Sequence, residues 1–495
     1  MLKQVVRLIF AGFLGKLLGV CREVALAGLF GTGAASDSFR AALTATLAPI
    51  HLFTSEVLTS TVIPRFRSTH REQPEKAWAL FFGAGGLLIC VACLLSIVIW
   101  WNSQGLLELC FPGFSSEKIV LAAQMLRIMA AGVPFYVLSS LLISLEVGHG
   151  AFNLASLRPW LQNTGVLVAI VVAFVADDPR LIAWGFTVAY WVLSSAGFVF
   201  LVSRGVMTGA CWSGFRSMGS ALARLWVGMK PLAVFSLLLQ ANILLEKGVA
   251  SMVGPGALSA VEYARLIPDT ATVLLAMPLG LVSLSSMACL TEEETILNVD
   301  RVAATVLLLL VPVSCFITIA APQLMDLLYG RGAFDSQSIV LTSRVLRGMA
   351  VGIWAICLAH ALQKILNARF NNYRVLKVGI IGLLVNTSFN LIFYRYLGVL
   401  AIGLGCSLGA IVMASLYLRS FGCLKQTLAI GRVCFVSGGI YLLFGITIEC
   451  IFGETTTGLI ISMVAGLVLW GGVYCMCVSC RTLIRYGVQR LRRVS

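Results

Sequence analysis

Phe114-Ser-Ser-Glu-Lys-Ile-Val-Leu-Ala-Ala-Gln-Met-Leu-Arg-Ile-Met-Ala-Ala-Gly132 recurs 220 residues later as Phe334-Asp-Ser-Gln-Ser-Ile-Val-Leu-Thr-Ser-Arg-Val-Leu-Arg-Gly-Met-Ala-Val-Gly352. Ten of the nineteen positions are identical, far more than unrelated apolar segments share. A weaker echo keeps nearly the same offset: Gly31-Thr-Gly-Ala-Ala-Ser36 resembles Gly254-Pro-Gly-Ala-Leu-Ser259. Each echo follows a stretch with adjacent acid and base, Arg22/Glu23 in one case and Glu246/Lys247 in the other. The chain is therefore expected to be built twice from one plan.

The material of that plan is apolar. Of the 495 residues 59% are hydrophobic and only 12% charged, with a mean hydropathy of +0.95. Soluble domains carry roughly 25% charged residues, and a chain this apolar has no polar coat for a watery surface. A bilayer removes the need for one. A helix needs about 20 apolar residues to cross the hydrocarbon core, and the chain offers about fourteen such runs. They start near Val5, Asp37, Ala77, Ile119, Trp160, Leu181, Met229, Ala257, Val302, Val345, Leu376, Leu397, Val433 and Gly458. The fold class expected is an all-α polytopic membrane protein of about 14 transmembrane helices.

The 220-residue offset carries span one to span seven and span four to span ten, so both partners cross in the same direction. That is a parallel repeat, a pseudo-two-fold about the membrane normal, of the kind found in two-lobed transporters. The expected domains are an N-terminal lobe of six spans (1–204), a cytoplasmic linker (205–227), a C-terminal lobe of six spans (228–422), and two extra spans with a basic tail (423–495). With the N-terminus inside, roughly 24 Lys and Arg fall in inside loops and about four outside, Arg158 being counted inside and Lys118 outside. Both termini are thus expected in the cytoplasm. The net charge of +15 follows this loop pattern and gives no reason to expect nucleic acid. The Met1-Leu-Lys-Gln start has no small-residue cleavage site after it and is expected to be a first span rather than a leader. The fifteen cysteines show no metal-ligand or catalytic grouping.

Charges inside the spans point to function. A charge at the bilayer centre costs at least about 2.5–3.5 kcal/mol, so such residues pair or face a wet cavity. Lys16, Arg22, Arg40, Arg127, Lys247, Arg265, Arg344 and Arg347 stand at membrane depth or its edge, with Glu23, Asp37, Glu56, Glu146, Glu246, Glu262 and Asp269. Gly15, Gly19, Arg22 and Glu23 share one helix face, and the glycines permit close approach of another surface. Asp37 and Arg40, at i and i+3, are candidates for a local pair. Arg265 precedes Pro268, which frees backbone groups, and Glu262 lies one turn away. His51 could titrate near neutrality. Substrate contact is assigned to Lys16, Arg22, Arg265 and His51, and gating or ion pairing to Glu23, Asp37, Glu56, Glu246, Lys247 and Glu262. An excess of guanidinium and ammonium suits an anionic cargo, above all phosphate.

Three stretches together resemble the lipid II flippase (MurJ/MviN) family of the multidrug/oligosaccharidyl-lipid/polysaccharide exporter superfamily. They are GKLLGVCREVALAGLFGTGAASDSF in spans one and two, LLEKGVASMVGPGALSAVEYARLIP in spans seven and eight, and LLYGRGAFDSQS before span ten. The resemblance implies a non-enzymatic flippase that moves an undecaprenyl-pyrophosphate-linked saccharide across the bacterial inner membrane by alternating access. It implies membrane lipid as surroundings, no cofactor beyond a coupling ion or the membrane potential, and a monomer. Lys16 stands where the family often has arginine, while Arg22, Asp37 and Arg265 match family positions. Span two departs from the pattern, with Ile50-His51 and Ser55-Glu56 where an arginine pair and Glu-Gly are common. The cargo implied is therefore lipid II or a related lipid-linked polysaccharide unit. The alternative in another functional class is a cation-coupled multidrug antiporter, which would need membrane acids without basic partners.

Overall fold

The computed structural model describes residues 2–57, 66, 74–205, 218–276, 291–369, 371–453 and 455–476. Much of the linker expected at 205–227 and all of the basic tail beyond 476 lie outside the described residues. Helices account for nearly all of the rest. In chain order they are α1 (Leu2–Phe30), α2 (Ala34–Val57), α3 (Pro74–Trp101), α4 (Ser103–Cys110), α5 (Ser116–Gly148), α6 (Asn153–Val175), α7 (Leu181–Ser203), α8 (Met218–Val253), α9 (Ala257–Ala271), α10 (Glu292–Ile319), α11 (Ala321–Tyr329), α12 (Ser336–Ala350), α13 (Ile353–Ala368), α14 (Asn372–Leu397), α15 (Val399–Ser420), α16 (Leu424–Phe452) and α17 (Thr456–Met476). There is no strand among the described residues. Helices satisfy every backbone group within one segment, which hydrocarbon requires.

Nine helices among the described residues are long and apolar enough to cross a bilayer, or ten if α12 and α13, bent by 50° at their junction, form one span. α1 and α2, at 29 and 24 residues, have the length as well but carry the embedded charges. The protein is a multi-pass membrane protein. Its outward side chains agree: Trp101 and Val175 are each 80% exposed, tolerable against lipid and costly against water.

By internal contacts the chain forms two compact units. The first holds residues 1–259 with the segment 331–338, and the second holds 260–330 with 339–495. In the first, Met125, Leu126, Met129 and Val133 of α5 are wholly buried with Ile170 of α6, and Phe186 and Tyr190 of α7 are nearly so. In the second, Leu307, Val311 and Cys315 of α10 pack with Tyr441 of α16 and Trp470 of α17.

The repeated stretch does the same local work in both copies. Ser115 caps α5 by accepting from Lys118 N, and Asp335, at the matching position, accepts from Ser338 N at 2.8 Å. That backbone N–H holds the exposed Asp335 carboxyl below the usual carboxylate range. Arg127 donates to Ser103 Oγ at 2.9 Å, and its counterpart Arg347 donates to Glu449 at 2.5 Å. At the end of the motif, Thr187 Oγ1 donates to Ile128 O at 2.8 Å and Ser407 Oγ to Gly348 O at 2.6 Å. Both the hydroxyls and the carbonyls are separated by the repeat offset of 220. The shared terminal glycine explains how the helices come so close. A Cβ on Gly132 would lie 3.1 Å from Thr187 Cα, and one on Gly352 would lie 2.5 Å from Ser407 Cα. The tighter contact accompanies the bend between α12 and α13, whereas α5 runs unbroken for 33 residues.

A methyl group should therefore be felt unequally. Gly352→Ala should destabilise the protein by about 1–3 kcal/mol through overpacking, and Gly132→Ala by clearly less. Thermal unfolding of the purified variants in detergent checks the order, and equal midpoints would contradict it.

Candidate functional site

The glycine face of α1 is a docking seam for α6. A Cβ on Gly15 would lie 2.5 Å from Pro159 Cβ, and Gly19 faces the Asn163 side chain at 3.6 Å. The partners are four residues apart on both helices, so one turn of each lies along one turn of the other. Asn163 locks the seam: its Nδ2 donates to Gly15 O at 2.9 Å, and its Oδ1 accepts from Arg22 Nη1 at 2.9 Å.

Arg22 shares its acid with a second helix. Its Nη2 donates to Glu23 Oε1 at 2.5 Å, while Arg40 Nη2 from α2 donates to Glu23 Oε2 at 2.6 Å. One carboxylate thus bridges two guanidiniums. Arg40 is buried, and Arg22 keeps 21% of its side chain exposed. One turn along α2, Thr44 Oγ1 donates to Arg40 O at 2.7 Å and accepts from Lys247 Nζ of α8 at 2.8 Å. Lys16 is partly exposed on α1 beside Gly15.

Asp37 does different work. The expected local pair with Arg40 does not form, because Arg40 turns to Glu23 and the Asp37 carboxylate has four other donors. Lys118 Nζ reaches Oδ2 at 2.7 Å, as does Gly256 N at 2.8 Å; Ser259 donates to Oδ1 from N at 3.0 Å and from Oγ at 2.8 Å. Gly256 and Ser259 begin α9, whose unpaired N–H groups favour a negative partner. Asp37 of α2 is therefore the cap of α9, supplied from elsewhere in the chain. The glycine motifs stand beside it. Gly31, at φ +57°, has Ala333 O where a Cβ would sit, and Gly332, at φ +63°, has Gly28 O there. Ala333 N donates to Gly28 O at 2.7 Å, and Thr32 Oγ1 meets Ser338 Oγ at 2.8 Å. Only glycine combines that backbone conformation with that proximity.

His51 Nε2 lies 3.0 Å from the Tyr136 hydroxyl. The Arg158 guanidinium covers the Tyr136 ring at 4.7 Å and the Tyr190 ring at 5.7 Å. Arg158 was expected in a cytoplasmic loop; it stands instead within α6, immediately before the proline that packs on α1. Lys118, expected as an outer loop residue, sits in the first turn of α5 and is held by Asp37.

Glu246 is buried in α8, where its neighbour Lys247 reaches Thr44. Glu56 belongs to α2, but its side chain lies outside the described residues. Arg265 and Glu262 belong to the second unit and form a 4.0 Å pair on α9. Just beyond Pro268 the helix widens into a π turn at Thr272–Ala276, where Thr272 Oγ1 donates to Pro268 O at 2.9 Å. Such turns are frequent at functional sites. In the same unit an apolar cavity of about 460 Å³ is lined by Leu309 and Phe316 of α10 and by Met463, Leu467 and Trp470 of α17. Asn163, Thr44, Tyr136, Tyr190 and the true settings of Arg158 and Lys118 escaped sequence reasoning. The one available signal was the Pro159–Asn163 spacing, which equals that of Gly15–Gly19. No cluster able to hold a metal occurs among the described residues.

Against known proteins, residues 26–473 match the family model described as lipid II flippase MurJ. The chain belongs to the lipid II flippase MurJ family. A probable lipid II flippase MurJ of Rickettsia prowazekii is 23% identical over 411 residues, covering 81% of this chain and 80% of that one. The lipid II flippase MurJ of Burkholderia cenocepacia is 25% identical over 418 residues, covering 81% and 80%. A solved lipid II flippase MurJ in an inward closed conformation has the same fold, with a TM-score of 0.79, 18% identity and coverage of 94% of this chain and 97% of that one. An inward-facing multidrug resistance transporter of the MATE family in the MOP superfamily is more distant, at TM-score 0.68, 16% identity and coverage of 87% and 99%.

Asp37→Ala should cost about 3–5 kcal/mol, because it strands the Lys118 ammonium and the start of α9. Adding Lys118→Met should recover part of that loss. A double-mutant cycle by thermal unfolding checks the coupling, and strict additivity would contradict it.

Proposed function

We propose that this chain flips a polyprenyl-pyrophosphate-linked saccharide, lipid II or a closely related unit, across the bacterial inner membrane. The observation that carries the reading is the placement of Arg22, partly exposed and oriented by Glu23 and the neutral Asn163. Guanidinium matches phosphate oxygens as a two-pronged donor, and a partly desolvated site strengthens that contact. Family membership supplies the cargo class: the relatives named above are lipid II flippases, transporters rather than enzymes. The headgroup pyrophosphate is taken by Arg22, with Lys16 on the same helix, and Arg265 is a separate candidate contact in the second unit. The apolar cavity between α10 and α17 has the chemistry to shelter part of the polyprenyl tail.

Transport proceeds by alternating exposure of the basic site to the two membrane faces, with both termini in the cytoplasm. The membrane potential can bias the cycle, since each charge moved across it is worth about 2.3 kcal/mol per 100 mV. The acids of α1 and α2 do not favour the drug-antiporter alternative, whereas buried Glu146 of α5 is held by Asn153 and Leu154 N and has no basic partner among the described residues. Glu23 and Asp37 are both committed to bases at 2.5–2.7 Å.

Arg22→Ala and Arg265→Ala should each abolish complementation of a flippase-depleted strain while the protein remains inserted at normal levels. Growth restored by both variants would overturn the assignment.

A further inference from the structure

Arg158 differs from Arg22, Arg40 and Lys118 in how its charge is met. Arg22 and Arg40 share Glu23, and Lys118 holds Asp37. Arg158 has no carboxylate partner among the described residues; its neighbours are two aromatic faces. Tyr136 and Tyr190 are 5% and 1% exposed, so they form a fixed, buried platform. They pack on each other with ring centroids 4.7 Å apart, and His51 bonds the Tyr136 hydroxyl at 3.0 Å. Arg158 as a whole residue is partly exposed. Side-chain hydrogen bonds to both tyrosines hold the guanidinium in place, and its five N–H donors outnumber those two bonds. An arginine oriented in this way, unneutralised and reachable, is a receptor for an oxyanion.

Its place in the fold links it to the site already described. Pro159, the next residue, packs on Gly15 of α1, and Asn163, five residues on, binds Arg22. Five residues of helix separate the two levels by about 7.5 Å along α6. That interval suits two anionic or polar groups of one extended headgroup.

We propose that Arg158, seated on Tyr136 and Tyr190 beside His51, is a second oxyanion subsite for the lipid-linked cargo, taking a phosphate or carboxylate oxygen of the headgroup. This rests on the flippase reading above and extends it to a residue outside the recognised motifs.

The test is equilibrium binding of the purified protein to lipid II and to undecaprenyl pyrophosphate, for wild type, Arg158→Met, Arg158→Lys and Arg22→Ala. Arg158→Met should weaken lipid II binding at least about tenfold, equivalent to about 1.4 kcal/mol. An equal loss for undecaprenyl pyrophosphate assigns the contact to the pyrophosphate. A loss confined to lipid II assigns it to a carboxylate of the headgroup. Arg158→Lys keeps the charge but lacks the planar fork, so it should bind weakly at wild-type thermal stability, and it carries the test if the Met variant does not fold. Wild-type affinity for both ligands in the folded Arg158 variants, with Arg22→Ala impaired, overturns this inference alone. Wild-type affinity in Arg22→Ala as well overturns the flippase reading beneath it.

Discussion

Glu23 bridges two arginines of different helices with one carboxylate, and the rest of the site in the first unit is arranged around that bridge. Arg40 is buried and needs the carboxylate outright, since an unpaired guanidinium deep in the protein would be very costly. Arg22 takes the other oxygen and is completed by Asn163, a neutral group that orients it without cancelling its charge. The glycines of α1 bring Asn163 within reach, because side chains at Gly15 or Gly19 would hold α6 away. Packing, polar bonding and the orientation of Arg22 are therefore one device. The seam that fixes the helices also fixes the direction in which the positive charge is offered.

The same economy appears where α9 begins. Asp37 is spent on capping a helix distant in sequence and on neutralising Lys118, which removes it from any cation-coupling role that an isolated membrane acid could serve. The adjoining contacts of Gly28 to Gly33 with residues 331–338 depend on glycine at Gly31 and Gly332. These motif residues are conformational necessities, whereas Arg22 and Arg158 are the groups proposed to meet a ligand.

Much of the fold was legible in the chain. Composition forced helices in a membrane, and the matching stretches 114–132 and 334–352 carry like helix caps and like close contacts at their terminal glycines, while their arginines take different partners. The glycine face of α1 was also legible as a close-approach surface, though not its partner. The polar partners were hidden because they are set by packing between elements far apart in sequence. Asp37 and Arg40 at i and i+3 looked like a local pair, yet each found a stronger partner on another helix. Arg158 looked like a loop residue because it falls just before a proline near the start of an apolar run. In the fold it brings a guanidinium beside His51, on the span where the sequence had seemed short of arginine.

The central claim is that oriented arginine charge recruits a pyrophosphate-linked lipid. Native mass spectrometry of the purified wild-type protein tests it most directly. The account predicts a retained adduct with the mass of a polyprenyl-pyrophosphate-linked saccharide, surviving detergent exchange that strips bulk phospholipid. A protein carrying only bulk phospholipid, and gaining no adduct when lipid II is added, would contradict it.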